Sequence, residues 1–427
     1  MLSLDFSTIK QISNDHGLTS KEIKDQSDKL SQYLENIDDR DQGFYDIADN
    51  TELAEELQNF AQAAKGQFDD VVVLGIGGSA LGSICIKQSL THLYGENGNQ
   101  PDLHVVDNID PTMIRELDDV INIENTLFIT VTKSGSTPET LSLYYYFRNR
   151  LEENDLHVRE HMVFVTDPTE GMLRDVANEE GITAFDIPPN VGGRFSVLTP
   201  VGLLPAAMIG VDISKLLEGA RDIRDKVLSS DFEENLSFQL ATAQYKLNQK
   251  GKSINVMMPY AQKLIRLADW YRQLLAESIG KAETESGEEV HVGITPVNAL
   301  GATDQHSQAQ LYNEGPNDKL LMFIEVENLG EEMNIPVLHQ EKETTEFLEG
   351  ASFNELIKTE KEATQQALVE RDRPTMTITI DKIDEYHLGQ MFMLFEGATA
   401  FLGEFFDINA FNQPGVELAK DLTKEKL

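Results

Sequence analysis

Residues 127–140 read LFITVTKSGSTPET, and the fold follows from this stretch. Residues 127–131 are mostly β-branched or aromatic, which is typical of a buried strand, and they stop at a turn rich in Gly and Ser. Thr137 is a favourable N-cap and Pro138 suits the first helical position, so a helix is predicted to begin here and continue through the apolar residues 141–147. A buried strand followed at once by a helix is the repeating unit of an α/β fold.

The loop between this strand and helix has the chemistry of a phosphate site. Unpaired backbone N–H groups at a helix N-terminus and the helix dipole both favour an anion. Side-chain donors come from Thr132, Lys133, Ser134, Ser136 and Thr137. The GxxxxGK[ST] order of a nucleotide P-loop is absent, so a small phosphomonoester is the expected ligand. The alternative is an ordinary turn rich in hydroxyl groups. Glu139, in the first helical turn, must point away from a phosphate or toward a cation.

Other apolar runs predict the rest of the architecture. Further strands are predicted at residues 71–74, 103–106 and 162–166, and in a second domain at 254–258, 320–326 and 375–380. Helix-length segments separate them, which indicates α/β domains with parallel sheets flanked by helices, and ligands then bind at the carboxyl ends of the strands. We expect an N-terminal helical arm (1–68), two domains (69–235 and 236–408) and a C-terminal helical tail (409–427) that carries Lys420.

One motif suggests a different function. Residues 70–82 read DVVVLGIGGSALG, in which GIGGSA matches the GxGxxG/A dinucleotide fingerprint. Asp107 ends the next predicted strand, where an acidic ribose ligand belongs, so an NAD-dependent dehydrogenase is the alternative. A dinucleotide fold would not need a second phosphate loop, however, whereas a phosphosugar pocket can use Ser79 and that loop together.

Candidate catalytic residues lie farther along the chain. Arg194 follows two glycines in VGGRFS, which lets the backbone approach a ligand while the guanidinium stabilises developing negative charge. Glu277 lies in the last turn of a predicted helix that ends at Gly280, and the negative end of the helix dipole strengthens a carboxylate as a base. By position alone, either residue could be an ordinary surface group, and a lone His such as His306 is more often structural.

A histidine pair elsewhere imitates a metal site. Residues 157–161 read HVREH and fit the HxxEH zinc pattern, which needs a helix to bring both rings to one face. The motif runs directly into the strand predicted from residue 162, so no metal site is expected here.

Composition limits the classes of function. The 427 residues include 35 basic and 73 acidic ones, giving a net charge of −38, which repels nucleic acid and anionic membranes. Residues 201–211, the longest apolar stretch without charge, are too short to span a bilayer, and the N-terminus lacks a signal sequence. With Cys85 as the single cysteine, a cytoplasmic location is expected. The charge suggests a cytoplasm of high ionic strength, as in a halophile with an acidic proteome; solubility alone is the simpler reading.

Several separated motifs together resemble the glucose-6-phosphate isomerase family, in its compact bacterial form. They are GIGGSALG (75–82), TKSGSTPET (132–140), VGGRFS (191–196), AESIGK (276–281), GATDQHSQ (301–308) and NQPGVELAK (412–420). The resemblance implies two sugar-isomerase (SIS) domains of flavodoxin-like topology, a homodimer, a phosphosugar substrate and no cofactor. The implied activity is the glycolytic and gluconeogenic interconversion of glucose 6-phosphate and fructose 6-phosphate through an enediolate, without a metal.

The resemblance also implies a role for each matching residue. Glu277 matches the base, Arg194 the enediolate stabiliser, and His306 and Lys420 the ring-opening residues, with His306 delivered from the partner subunit. The substrate-binding positions are Gly78, Ser79, Thr132, Lys133, Ser134, Thr137 and Gln413. We further expect Glu139 to orient His306 by accepting its other N–H. A non-catalytic sugar-phosphate regulator would keep the phosphate motifs but would have no need for Glu277, His306 and Lys420.

Overall fold

The computed structural model describes residues 2–95, 98, 100–339 and 342–426. Its strands are β1 (Ser3–Asp5), β2 (Asp70–Leu74), β3 (Asp102–Val106), β4 (Thr126–Val131), β5 (Met162–Thr166), β6 (Ala184–Asp186), β7 (Ile254–Pro259), β8 (Lys281–Glu283), β9 (Glu289–Val292), β10 (Thr295–Asn298), β11 (Lys319–Asn328) and β12 (Thr375–Lys382).

The helices are α1 (Ser20–Lys24), α2 (Leu30–Asp39), α3 (Thr51–Ala64), α4 (Leu81–Leu90), α5 (Pro111–Val120), α6 (Pro138–Glu153), α7 (Val158–His161), α8 (Met172–Glu180), α9 (Pro200–Met208), α10 (Ile213–Val227), α11 (Leu236–Gln249), α12 (Ile265–Ile279), α13 (Ala309–Glu314), α14 (Phe353–Val369), α15 (Glu385–Phe406) and α16 (Glu417–Lys426). None of these described helices is long and apolar enough to cross a bilayer.

The chain divides into two compact units. The first unit consists of Glu35–Asp225 and Leu388–Glu396. The second consists of Met1–Leu34, Lys226–His387 and Gly397–Leu427.

A five-stranded parallel sheet organises the first unit. Its strand order is β3-β2-β4-β5-β6, with Val72 opposite Phe128 and Phe128 opposite Met162. The predicted strands of this region are confirmed, and so is the α/β class. The chain moves outward from β2 in one direction through β3 and in the other through β4, so a crevice opens between the loops that follow β2 and β4.

The core of the first unit covers this sheet with aromatic side chains. Phe128 stacks on Phe147 of α6 with ring centroids 4.8 Å apart, and Tyr144 meets Phe164 edge to face at 5.5 Å. All four are at most 1% exposed. This packing fixes α6 against the sheet, and therefore fixes the helix N-terminus next to the end of β4.

The second unit also has a five-stranded sheet, with four parallel strands and the antiparallel strand β1 at one edge. Its sheet order is β1-β12-β11-β7-β10, in which β12, β11, β7 and β10 are parallel. The buried residues Val256, Met258, Leu321 and Phe323 form its core together with Leu368 of α14. The predicted strands at 254–258, 320–326 and 375–380 are confirmed to within two residues at each end.

The structure differs from the sequence prediction at two places. Residues 1–68 are predicted to be helical, yet Ser3–Asp5 form the edge strand β1, antiparallel to β12 with Leu4 opposite Ile378. A three-residue strand has too little periodicity to be recognised. Residues 282–292, an acidic stretch in which no strand was predicted, belong to a β8–β9 hairpin.

Candidate active site

The loop that follows β4 has the form of an anion cradle. We call residues 132–137 the cradle loop. Thr137 is the N-cap residue of α6, as predicted, but its side chain does not cap the helix. Its hydroxyl instead lies 3.1 Å from Thr132 Oγ1 and 3.5 Å from Ser134 Oγ, and Ser136 donates its backbone N–H to Ser134 Oγ at 3.3 Å. The loop thus gathers three side-chain hydroxyls at a helix N-terminus with no side-chain cap, which favours an anion.

Gly135 shapes the cradle loop. It has φ +60°, and a Cβ here would lie 2.8 Å from the backbone nitrogen of Met172 at the start of α8. Both the left-handed backbone and the close contact require glycine. Gly135 is therefore the residue that lets the cradle loop fold tightly against α8.

A second loop lies against the turn after β2. We call residues 188–196 the arginine loop. A Cβ added to Gly78 would lie 2.3 Å from the carbonyl oxygen of Gly193 and 2.8 Å from the backbone nitrogen of Arg194. The glycine turn and the arginine loop therefore pack backbone to backbone, which accounts for glycine at position 78.

Arg194 itself is buried. It is 4% exposed, and its guanidinium lies 5.5 Å from the ring centroid of Phe195, which in turn stacks on Phe44 at 4.9 Å. A Cβ on the neighbouring Gly193 would project into open space. The arginine loop thus combines a fixed cation with room for a ligand beside it.

Lys133 connects the cradle loop to the arginine loop. Its Nζ donates to the carbonyl oxygens of Pro189 at 2.6 Å and Val191 at 3.0 Å. Burial lowers the pKa of Lys133, and nearby Asp167 partly opposes that shift. The first unit therefore brings Gly78, Ser79, the cradle loop and Arg194 to one edge of its sheet. Glu139 is half-buried in the first turn of α6.

The second unit carries the predicted base on α12. Glu277 is half-buried in the last turn of this helix, which ends at Gly280 as predicted. Gln273, one turn earlier, donates its Nε2 to Glu277 Oε1 at 3.1 Å. Gln273 was not among the predicted site residues, although the i, i+4 spacing of a Gln and a Glu on one helix is a recognisable signal for a side-chain hydrogen bond.

The charge at the end of α12 also differs from that of a helix end with no cation beside it. Lys281 donates its Nζ to the carbonyl oxygens of Glu277 at 2.7 Å and Ser278 at 2.8 Å. An ammonium at this point opposes the partial negative charge of the helix end. The helix end next to Glu277 therefore carries a compensating cation, which the sequence prediction did not include.

His306 is exposed after a 3₁₀ turn (Thr303–Gln305) rather than within a long helix. Asp304 braces this turn by accepting hydrogen bonds from the Leu300 N–H at 2.7 Å and from the Ser307 hydroxyl. Burial alone would raise the pKa of Asp304, but these hydrogen bonds lower it overall, so the carboxylate stays ionised as an acceptor.

The two remaining predicted residues lie in the C-terminal segment. Lys420 is in the first turns of α16 and donates to Glu417 Oε1 at 2.8 Å, with its side chain 49% exposed. Gln413 is exposed at the N-terminus of the short turn Pro414–Val416. Both are thus held on a solvent-facing helical segment of the second unit.

His161, the second histidine of the HVREH pattern, has a structural role. The helix α7 is a single turn, and His161 Nδ1 lies 3.0 Å from the carbonyl oxygen of Thr126. Within the described ranges, no three His, Cys, Asp or Glu side chains are arranged to share a metal ion.

Comparisons with known proteins agree on one family. The profile of the family described as phosphoglucose isomerase matches residues 48–427. A glucose-6-phosphate isomerase of Carboxydothermus hydrogenoformans is 47% identical over 374 residues, covering 86% of this chain and 81% of that protein.

Solved structures give the same picture. The crystal structure of a hypothetical protein, TT0462, from Thermus thermophilus superposes with a TM-score of 0.89 at 35% identity, covering 100% of this chain and 99% of that one. A glucose-6-phosphate isomerase of Chlamydia trachomatis shares the fold with a TM-score of 0.85 at 22% identity, covering 99% and 90% of the two chains.

Proposed function

Because the chain belongs to the phosphoglucose isomerase family, we propose that it interconverts glucose 6-phosphate and fructose 6-phosphate. The observation that carries this proposal is the crevice at the edge of the first sheet, where Lys133 joins a hydroxyl-rich cradle to the loop that carries the buried Arg194. A phosphomonoester in the cradle would be anchored remotely from the reacting carbons, so its binding energy would orient the substrate.

The chemical step needs one base that moves a proton between neighbouring carbons. Glu277 is our candidate, since one carboxylate can remove the proton from C2 and return it to C1 on the same face. The enediolate formed between these transfers carries negative charge. A fixed donor such as Arg194 would stabilise that charge by about 3 kcal/mol.

Ring opening must precede proton transfer, and we assign it to His306 and Lys420. The ring oxygen has to gain a proton while the C1 hydroxyl loses one, which an imidazole can support. His306 is exposed in its own chain, which supports its delivery into the site of a partner subunit in a homodimer. Glu139 is proposed to accept the second N–H of this imidazole, and Gln413 to contact the sugar.

We propose that the reaction is independent of metals and cofactors, because the carboxylate and the guanidinium already account for proton transfer and charge stabilisation. A dehydrogenase, the alternative suggested by GIGGSA, has less support because a dinucleotide fold would not need the second, hydroxyl-rich cradle that follows β4. A regulatory sugar-phosphate binder would bind substrate without turnover.

The test is formation of glucose 6-phosphate from fructose 6-phosphate in the presence of a chelator. We expect the wild type to be active and Glu277→Gln to lose at least about 10³-fold in kcat, since the base is removed. Glu283→Gln, on the exposed hairpin, is the matched control and should retain full activity. Wild-type binding of the phosphosugar without turnover would refute the isomerase and favour the regulator.

The charge of −38 supports a second proposal, that the protein works in a cytoplasm of high ionic strength. Like charges that crowd a folded surface repel one another, and salt screens this repulsion. The melting temperature should therefore rise steadily from low to molar KCl. A melting temperature that is independent of KCl would leave solubility as the explanation of the charge.

A further inference from the structure

Lys133 belongs to the cradle loop, but its ammonium group is engaged with the arginine loop. Two of its three N–H donors go to the carbonyl oxygens of Pro189 and Val191, at 2.6 and 3.0 Å. These carbonyls flank Asn190, whose own carbonyl accepts from the backbone N–H of Gly43 at 3.1 Å. The carbonyl oxygens of residues 189–191, which precede Arg194 in the chain, therefore all accept hydrogen bonds from residues outside the arginine loop.

The arginine loop has internal backbone hydrogen bonds, from the Val191 N–H to the carbonyl oxygen of Pro188 at 3.0 Å and from the Phe195 N–H to that of Gly192 at 2.9 Å, but its composition limits further ones. Pro188 and Pro189 have no backbone N–H to donate, and Gly192 and Gly193 contribute no side chains. Gly193 accepts from the Ser196 hydroxyl at 2.6 Å, which fixes the segment after the glycines. The contacts from Lys133 fix the segment before them. Arg194 lies between these two anchored segments.

Burying the Lys133 ammonium next to the arginine loop costs desolvation free energy, and its hydrogen bonds must offset that cost. Burial lowers the pKa of Lys133, which shows that its charged form is partly desolvated. A lysine that served only to attract a phosphate would be more stable extended into water beside the cradle. The two short bonds to carbonyl oxygens compensate for the desolvation, and they do so at the backbone that leads to Arg194.

We propose that Lys133 is a positioning residue that aligns Arg194 with the anion cradle, and that it is not itself a ligand of the substrate phosphate. This inference rests on the proposed isomerase function. The phosphate is then bound by the N–H groups and hydroxyls of the cradle loop, while Lys133 sets the distance between the bound phosphate and the guanidinium that stabilises the enediolate.

The proposal separates two kinetic parameters. Loss of a phosphate ligand weakens binding of substrate and of free phosphate alike, whereas misplacement of Arg194 lowers the rate of the chemical step. An error of about 1 Å in the position of such a group can reduce the rate by about 10²-fold.

The experiment compares Lys133→Met with Ser134→Ala in steady-state kinetics and in inhibition by inorganic phosphate. For Lys133→Met we expect kcat to fall at least about tenfold, with KM and the phosphate inhibition constant changed less than about threefold. Ser134→Ala removes a cradle hydroxyl and should raise both KM and the inhibition constant while kcat changes little. The reverse pattern, with Lys133→Met weakening phosphate inhibition more than about tenfold at unchanged kcat, overturns the proposal.

A double-mutant cycle tests the route through Arg194. If Lys133 acts by positioning Arg194, the loss of kcat caused by Lys133→Met should shrink to less than about threefold in an Arg194→Lys background. Full additivity of the two losses in kcat would show that Lys133 acts on something else, and would also overturn the proposal.

The variant Lys133→Gln is the control for misfolding of Lys133→Met. Lys133→Gln keeps N–H donors without the charge, so it should fold and retain more kcat than Lys133→Met, with normal phosphate inhibition. Weakened phosphate inhibition in Lys133→Gln would identify Lys133 as a phosphate ligand. An inactive wild type that still binds phosphate would refute the isomerase function itself, which is a different result from any of these.

Discussion

Gln273 Nε2 donates to Glu277 Oε1 across one turn of α12, at 3.1 Å. This bond restricts the rotamers of the proposed base and satisfies one oxygen of its carboxylate. We therefore expect Gln273 to contribute to the orientation of Glu277.

Gln273→Met should lower kcat by about tenfold, because a hydrogen bond to a charged group is worth about 1.5–3 kcal/mol and this one is only half-buried. Steady-state kinetics measures the effect. Gln366→Met is the matched control, since Gln366 makes the same i, i+4 bond to Glu370 at 3.0 Å on the exposed face of α14. Equal activity in both variants would exclude Gln273 from the orientation of the base.

Gly135 should be far less replaceable than other glycines with left-handed backbones. Gly135→Ala introduces backbone strain of about 1–2 kcal/mol and also a contact of 2.8 Å with Met172 N. We expect it to weaken inhibition by inorganic phosphate more than about tenfold. Gly181→Ala has a similar φ of +69° but open space for its Cβ, so it controls for strain alone. Normal phosphate inhibition in Gly135→Ala would mean that the cradle tolerates distortion.

Glu396 makes stability depend on pH. Complete burial raises the pKa of Glu396 well above its usual value, and among the described residues neither carboxylate oxygen has a hydrogen-bond partner. The folded state keeps a proton that the unfolded state releases above pH about 4.5, so stability is greatest below that pH and falls as the pH rises.

Glu396→Gln should therefore be more stable than the wild type at pH 8 and should gain less as the pH is lowered to 5. Urea unfolding at the two pH values, at constant KCl, measures both differences. Glu362→Gln, an exposed change on α14, should follow the wild type at each pH. If the free energy of unfolding of the wild type equalled that of Glu396→Gln at both pH values, Glu396 would be ionised when buried.

Lys252 has the opposite relation to pH. Burial lowers the pKa of Lys252 to about 8, while its Nζ donates to Asn317 Oδ1 at 2.9 Å and lies 3.0 Å from His16 Nδ1. Between pH 8 and 10.5 the unfolded state binds more protons than the folded state, so this residue's contribution to stability rises with pH. Relative to Lys252→Met, the wild type should gain up to about 1.4 kcal/mol per pH unit in that window. Chemical unfolding at pH 8 and 10 measures this gain, and a constant difference between the two proteins would contradict it.

The sequence was sufficient for the features set by local chemistry. The strand at 127–131, the helix from Pro138 and the helix end at Gly280 all follow from periodicity and caps, and the structure confirms them. Contacts between distant segments could not be read in this way. The partners of Lys133 lie in a loop more than fifty residues later, and side-chain direction is not encoded by a motif.

Lys281 shows that even a contact between residues close in sequence could not be predicted from the motif alone. The sequence AESIGK shows a lysine next to the helix end, but only the fold shows that it turns back onto the last carbonyls of α12. Whether a cation opposes a helix dipole depends on that turn, so the electrostatic setting of Glu277 needed the structure.

The edge strand β1 has a consequence for biosynthesis. The strand β1 pairs with β12, with Leu4 opposite Ile378, so the second sheet cannot be completed until the long segment between these strands has been synthesised. The first unit likewise needs Leu388–Glu396 before it is whole. At roughly 5–20 residues per second, β1 waits on the order of 20–80 seconds for β12 to be synthesised. We therefore expect the growing chain to need shielding of its incomplete hydrophobic surfaces during that interval.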